Sequence, residues 1–139
     1  MSMKVLIVDS DGRFVGQARD ILESCGHYVV HEPRPEQALA RARKWRPDVT
    51  LISAELPAAS EGDLLRRFGD VRPRPAVLLV ASLDRFDKAW QAWQRGGDEV
   101  LFKPMLQPSE LHVSILVARE NALLPRRPGV MAHPVAKSA

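Results

Sequence analysis

The chain alternates five times between a short apolar segment and a longer segment with helical periodicity. The strand-like segments are residues 4–9, 28–31, 48–54, 76–81 and 99–102. In the helix-like stretches, apolar residues recur every three or four positions. The first, third and fourth strand segments are apolar almost throughout, which is typical of parallel strands covered on both faces. The alternation predicts an α/β fold, with a single doubly wound five-stranded parallel sheet of order 2-1-3-4-5 and five helices.

The length of 139 residues suits one domain. Residues 1–124 carry the periodic pattern, whereas residues 125–139 contain three prolines and no period. We expect a folded body over 1–124 and a disordered basic tail or linker over 125–139. The single cysteine, Cys25, excludes an internal disulfide framework and is expected to be a small core residue at a helix end.

The net charge of +3 comes from the tail. Removing its Arg126, Arg127 and Lys137 from the 20 basic residues leaves 17 in the body, against 17 acidic residues. A nucleic-acid footprint needs basic residues clustered on a folded face, so we expect the body not to bind nucleic acid. No apolar run is long enough for a bilayer and no signal segment opens the chain, so we expect no membrane association and a cytoplasmic protein.

Polar and charged residues follow four of the five strand segments. A sheet of this order places its site where the carboxyl ends of the strands meet. Here these ends are residues 9–11, 53–55, 81–82 and Lys103. The candidate site residues are therefore Asp9, Ser10, Asp11, Ser53, Glu55, Ala81, Ser82 and Lys103.

These segments resemble the receiver domain of bacterial response regulators. The resemblance covers about residues 3–124, and its strongest stretch is GGDEVLFKP at 96–104, supported by LIVDSD, RPDVTLISAELP and ASLD. It implies a CheY-like, flavodoxin-like fold and a role in two-component signal transduction. In that family an aspartate accepts a phosphoryl group, two acids at the first strand end hold Mg²⁺, and a hydroxyl and a lysine bind the phosphoryl oxygens.

The sequence departs from the family pattern at this site. Ser53 aligns with the phospho-acceptor, Ser10 with the second acid and Ala81 with the hydroxyl residue, while Ser82 follows one position later. A serine hydroxyl is a poor nucleophile without an activating base. We therefore expect a degenerate phosphorylation pocket without catalytic residues, in which Asp9 and Lys103, both retained, form a structural pair. The resulting hypothesis is a pseudo-receiver: a phosphorylation-independent protein–protein interaction module that is not an enzyme.

Two alternatives remain open. A regulated switch would use weak Mg²⁺ binding at Asp9 and Asp11 or an unorthodox modification; otherwise we expect no cofactor. Glu55 could refill part of the pocket, although we expect it to be a solvated loop acid. A phosphatase similar to haloacid dehalogenases would use Asp9 as nucleophile and Asp11 as acid/base, but it needs an acidic pair after Lys103, where this chain offers none.

The resemblance also implies a partner surface formed by the fourth helix, the fifth strand and the fifth helix, which would bind other signalling proteins. Trp90 and Val100 are the candidate partner-binding residues, and Val100 stands where the family often has an aromatic switch residue. At helical spacing with Phe86 and Trp93, Trp90 is expected more simply to pack at the core or its edge, and Trp93 to be buried. The sequence leaves the partner, the pathway and the oligomeric state open.

Overall fold

The computed structural model describes residues 2–56 and 64–124, and it has the predicted architecture. The five strands are β1 (Lys4–Val8), β2 (Tyr28–His31), β3 (Val49–Ser53), β4 (Ala76–Ser82) and β5 (Glu99–Lys103). The helices are α1 (Gly12–Ser24), α2 (Pro35–Trp45), α3 (helical over residues 64–68), α4 (Phe86–Arg95) and α5 (Pro108–Ala122), and a 3-10 turn, Leu83–Arg85, precedes α4. The predicted tail, residues 125–139, lies outside the described residues.

All strand pairs are parallel and the order is β2-β1-β3-β4-β5, which confirms the predicted sheet. Each connection between paired strands runs through a helix, as parallel pairing requires. In the register, Val8 lies opposite Ile52, and Ser82 lies opposite Lys103. The strands therefore end at nearly the same level, and the residues that follow them share one edge of the sheet.

Two hydrophobic clusters cover the two faces of the sheet. Successive residues of β1 alternate between them, so Leu6 belongs to the cluster with α2, α3 and α4, and Ile7 to the cluster with α1 and α5. Phe68 is fully buried in the first cluster, and Leu111 in the second. Burial on both faces explains why the central strand segments are apolar without alternation.

Local signals fix the helix ends next to the predicted site. The Asp11 side chain caps α1 by accepting hydrogen bonds from the backbone N–H groups of Arg13 and Phe14, at 3.1 and 3.2 Å. Before β5, Gly97 has a φ of 101°, and a Cβ there would lie 2.6 Å from Leu79 Cδ1. Only glycine fits this turn, which directs the chain into the strand that carries Lys103.

The structure corrects two expectations about packing. Cys25, which follows α1, is exposed rather than a core residue. Trp93, predicted to be buried, is only half-buried at the edge of the cluster under α4. Within the described residues, no helix is long and apolar enough to cross a membrane.

Candidate functional site

The ends of four strands bring the predicted site residues to one edge of the sheet. Asp9 follows β1, Ser53 ends β3, Ser82 ends β4 and Lys103 ends β5. These residues are far apart in sequence, and the parallel register alone places them side by side. The predicted site residues thus meet because the parallel strands end at one edge of the sheet.

Lys103 is held between two carboxylates. Its Nζ lies 3.0 Å from Oδ2 of Asp9 and 3.0 Å from Oδ2 of Asp11. The side chains of Lys103 and Asp9 are only 12% and 4% exposed, whereas that of Asp11 is 43% exposed. The ammonium also lies 4.8 Å from the centre of the Phe14 ring. The expected Asp9–Lys103 pair is present, and Asp11 joins it as a second, more exposed counter-ion.

The two acids contact Lys103 differently. Asp11 accepts a hydrogen bond from the ammonium, while the Asp9 contact is an ion pair without the alignment of a hydrogen bond. The other carboxylate oxygen of Asp9 accepts the backbone N–H of Asp11 at 2.9 Å. Asp9 is therefore fixed by the chain that follows it and depends on Lys103 for its charge balance.

This arrangement shifts two pKa values. The hydrogen bond from Lys103, followed by that from the Phe14 N–H, lowers the pKa of Asp11 below its ordinary 3.8. Burial pulls the pKa of Lys103 down, but its contacts with Asp11 and Asp9 outweigh burial and leave the pKa above its ordinary 10.5. Both groups are thus held in their charged forms at neutral pH.

Ser53 sits at the centre of this edge and is buried. Its Oγ accepts the backbone N–H of Glu55 at 3.1 Å, a local turn that occupies one lone pair of the hydroxyl. Ala81 is also buried, and it presents a methyl group at the position where the receiver resemblance implies a hydroxyl. Ser10 is exposed. Across residues 2–56 and 64–124, no group of three or more His, Cys, Asp or Glu side chains is arranged to hold a metal ion.

Glu55 is not the free, solvated acid expected from the sequence. Although the residue is exposed, its Oε2 accepts two hydrogen bonds from Ser82, one from the backbone N–H and one from Oγ, both at 2.9 Å. The spacing of two residues from Ser53 suggested that Glu55 points to the same side of the chain, but its partner could not be read from spacing. The bridge ties the segment after β3 to the last residue of β4.

A shallow apolar groove lies beside this edge, between α4 and β5. It encloses about 220 Å³ and is lined mainly by Phe86, Trp90, Trp93, Val100 and Phe102. Phe86 stacks on Phe102 with the ring centres 6.0 Å apart. Trp90 is 54% exposed, so the expectation that it packs into the core or its edge is wrong. The small residues Ala89 and Ala92 face the core instead, which leaves Phe86 and Trp90 exposed on α4.

Comparison with known proteins agrees with this geometry. Residues 5–116 match the family model described as the response regulator receiver domain. The chain is 30% identical over 126 residues to the probable transcriptional regulatory protein TcrX of Mycobacterium tuberculosis, covering 91% of this chain and 51% of that protein. It is 33% identical over 125 residues to a protein-glutamate methylesterase/protein-glutamine glutaminase of Rhodospirillum rubrum, covering 83% of this chain and 34% of that protein.

The fold is also that of solved receiver structures. The receiver domain of a sensor histidine kinase from Pseudomonas aeruginosa, with magnesium coordinated in its active-site cleft, superposes with a TM-score of 0.73 at 19% identity, covering 88% of this chain and 99% of that one. The chain spans about half the length, or less, of the curated relatives it matches. The family-model match extends over most of the described residues, and the chain belongs to the response regulator receiver domain family.

Proposed function

We propose that this receiver domain works without phosphorylation, as a protein–protein interaction module in bacterial two-component signalling, and that it is not an enzyme. The observation that carries the proposal is the state of the sheet edge. A buried serine stands in the place of the phospho-acceptor, and the lysine beside it is already held by Asp9 and Asp11. The edge therefore has the geometry of a receiver pocket and lacks its nucleophile.

The chemistry of phosphoryl transfer supports this assignment. An aspartate attacks phosphorus as a carboxylate and forms a labile acyl phosphate, whereas Ser53 must first lose a proton to a base. Its Oγ is buried and accepts the Glu55 N–H. A phosphoserine formed here would also lack the lability that lets a receiver reset.

The carboxylates present fit magnesium poorly. Mg²⁺ needs near-octahedral oxygen ligands and dehydrates reluctantly. Asp9 and Asp11 direct their Oδ2 atoms at the same ammonium, and the second family acid is Ser10. A metal would have to displace Lys103, so we expect Mg²⁺ to bind weakly at most. The same contacts disfavour the phosphatase alternative, because they occupy the acids proposed as its nucleophile and acid/base.

The partner surface in this proposal is the face formed by α4, β5 and α5. Trp90 is its central anchor, and Val100 lies beside it in the groove wall. Exposed aromatic residues next to an apolar pocket are the usual anchors of protein interfaces. The body has no net charge, which supports a protein partner over nucleic acid. A cytoplasmic location is part of the same proposal.

The direct test is incubation with acetyl phosphate and Mg²⁺, followed by intact-mass measurement. We expect no labile phosphoryl adduct on the wild-type protein. The Ser53→Asp variant is the matched comparison, because it places a carboxylate at the acceptor position, where the Ser53 Oγ now accepts the Glu55 N–H. A stoichiometric labile adduct on the wild-type protein would overturn the proposal.

A further inference from the structure

The bridge between Glu55 and Ser82 links the segment after β3 to the last residue of β4, just beyond the backbone hydrogen bond from the Ala54 N–H to the Val80 carbonyl. One carboxylate oxygen takes both polar groups of Ser82 at good hydrogen-bond distance. Hydrogen bonds to a charged acceptor are about twice as strong as those between neutral groups. Although Glu55 is exposed, the bridge is thus a substantial local restraint on the last residue of β4.

Ser82 is also the entry to α4. The 3-10 turn Leu83–Arg85 follows it directly and runs into Phe86, the first residue of α4. In the described residues, neither the turn nor α4 receives a cap from the side chain of its own N-cap residue, Ser82 or Arg85. Asp84 and Asp87 place negative charge in the first turns of these two elements, and Glu55 adds a carboxylate bonded to Ser82, the residue that precedes them.

The start of α4 is in turn one wall of the groove. Phe86 stacks on Phe102 of β5 and lines the groove together with Trp90. Ser82 is paired with Lys103 in the sheet, one residue beyond Phe102. A continuous set of contacts therefore leads from Glu55 through Ser82 and the 3-10 turn to the aromatic side chains of the groove.

We propose that Glu55 is a positioning residue: a fixed internal ligand of Ser82 that sets the start of α4 and, with it, the shape of the α4–β5 groove. The carboxylate occupies donors at the end of β4 permanently, so α4 stays in one position without an external signal. The effect of the Glu55–Ser82 bridge on the start of α4 can be tested on the free protein. Its meaning for partner binding rests on the proposed function.

The test compares Glu55→Ala, Glu55→Gln and Ser82→Ala with the wild-type protein. Glu23→Ala, which removes an exposed carboxylate from α1, is the matched control. Residue-resolved amide hydrogen exchange is measured over residues 82–95, and acrylamide quenching reports the exposure of the tryptophans. Circular dichroism checks that each variant is folded.

We expect amides of the 3-10 turn and the first turn of α4 to exchange about fivefold faster in Glu55→Ala, as for the loss of a helix cap. Quenching should rise in parallel, and Glu55→Gln, which keeps an acceptor without the charge, should lie between Glu55→Ala and wild type. Ser82→Ala, which loses only the Oγ bond, should show the same direction and decides the question if Glu55→Ala does not fold.

A change confined to the Ser82 amide, or effects no larger than those of Glu23→Ala, would overturn the positioning role. Phosphorylation of the wild-type protein by acetyl phosphate would instead overturn the proposed function and leave the coupling measurement standing. The two proposals therefore fail by different results.

Discussion

The two surfaces that meet at β5 differ in whether their side chains find partners within the chain. At the end of the strand, Lys103 and Asp9 are buried and paired, so the charged edge is complete within the chain. On the α4 side of the same strand, Phe102 and Val100 line a groove in which Trp90 remains 54% exposed. One surface has internal partners for its charges, and the other presents apolar area to solvent.

The difference separates the two tasks of a receiver. A switch needs a pocket whose charged groups can change partners, because a ligand shifts an equilibrium only by its differential affinity for two states. Here Lys103 already has two counter-ions, which lowers what a phosphoryl group could gain. By contrast, a partner that covers an exposed apolar groove gains free energy from the burial of apolar surface. This contrast supports the proposed function, in which the domain binds a partner without switching.

The largest expected effect comes from breaking the charged edge. Lys103→Met should lower the free energy of unfolding by about 3 kcal/mol, because it leaves the Asp9 carboxylate buried without a counter-ion. Urea denaturation at pH 7 measures this loss. Lys44→Met, at an exposed position on α2, is the control and should change stability by less than about 0.5 kcal/mol. Equal losses of unfolding free energy in the two variants would contradict the interpretation that Asp9 depends on Lys103 as its counter-ion.

The fold was predictable because the three central strand segments are buried on both faces and are therefore apolar almost throughout, while the edge strands β2 and β5 are only partly buried. The meeting of Asp9, Ser53 and Lys103 followed from parallel strand ends alone. The bond from Glu55 to Ser82 did not, because the direction of a loop side chain is set by tertiary contacts that spacing cannot encode.

The sequence failed at the edges of apolar stripes. A stripe shows which side of a helix faces the core, and it does not show how far the core extends. Cys25 lies just past the end of α1, and Trp90 lies at the border of the core-facing side of α4, next to Ala89, so both are exposed despite their apolar neighbours. Their positions depend on where the neighbouring elements end.

A smaller effect is expected from acid. Because Lys103 lowers the pKa of Asp11, the unfolded chain binds this proton more readily than the folded chain. The resulting stability is present above the ordinary pKa of 3.8 and is lost as the pH falls below it. Asp11→Asn keeps one acceptor oxygen to cap α1 and removes the charge together with Oδ2, the oxygen that accepts the hydrogen bond from Lys103.

The measurement is the difference between wild-type and Asp11→Asn stability across the acid range. The variant should be less stable at neutral pH, and the difference should shrink as the pH falls through the window below 3.8. Glu32, whose pKa is also lowered because hydrogen bonds from Arg34 and Arg41 outweigh its burial, is common to both proteins and cancels. If the difference in unfolding free energy does not vary with pH, the ionised form of Asp11 does not stabilise the folded state.

The smallest expected effect on stability lies in the groove. Trp90→Ala should lower the free energy of unfolding by at most about 0.5 kcal/mol, because its side chain is largely outside the core. Leu78→Ala, at a fully buried position of β4, is the contrasting variant and should cost about 3 kcal/mol. Thermal or urea unfolding followed by circular dichroism measures both.

The same Trp90 variant should bind a protein partner captured by the wild-type domain at least about tenfold more weakly, as expected for an interface anchor. Tyr28→Ala is the matched control, since Tyr28 is an aromatic residue 63% exposed on β2, at the opposite edge of the sheet, and its loss should leave partner binding unchanged. If Trp90→Ala instead destabilised the domain as much as Leu78→Ala, the groove would be part of the core and the contrast with the charged edge would fail. If both aromatic variants bound the partner equally well, the partner surface would have to lie elsewhere on the domain.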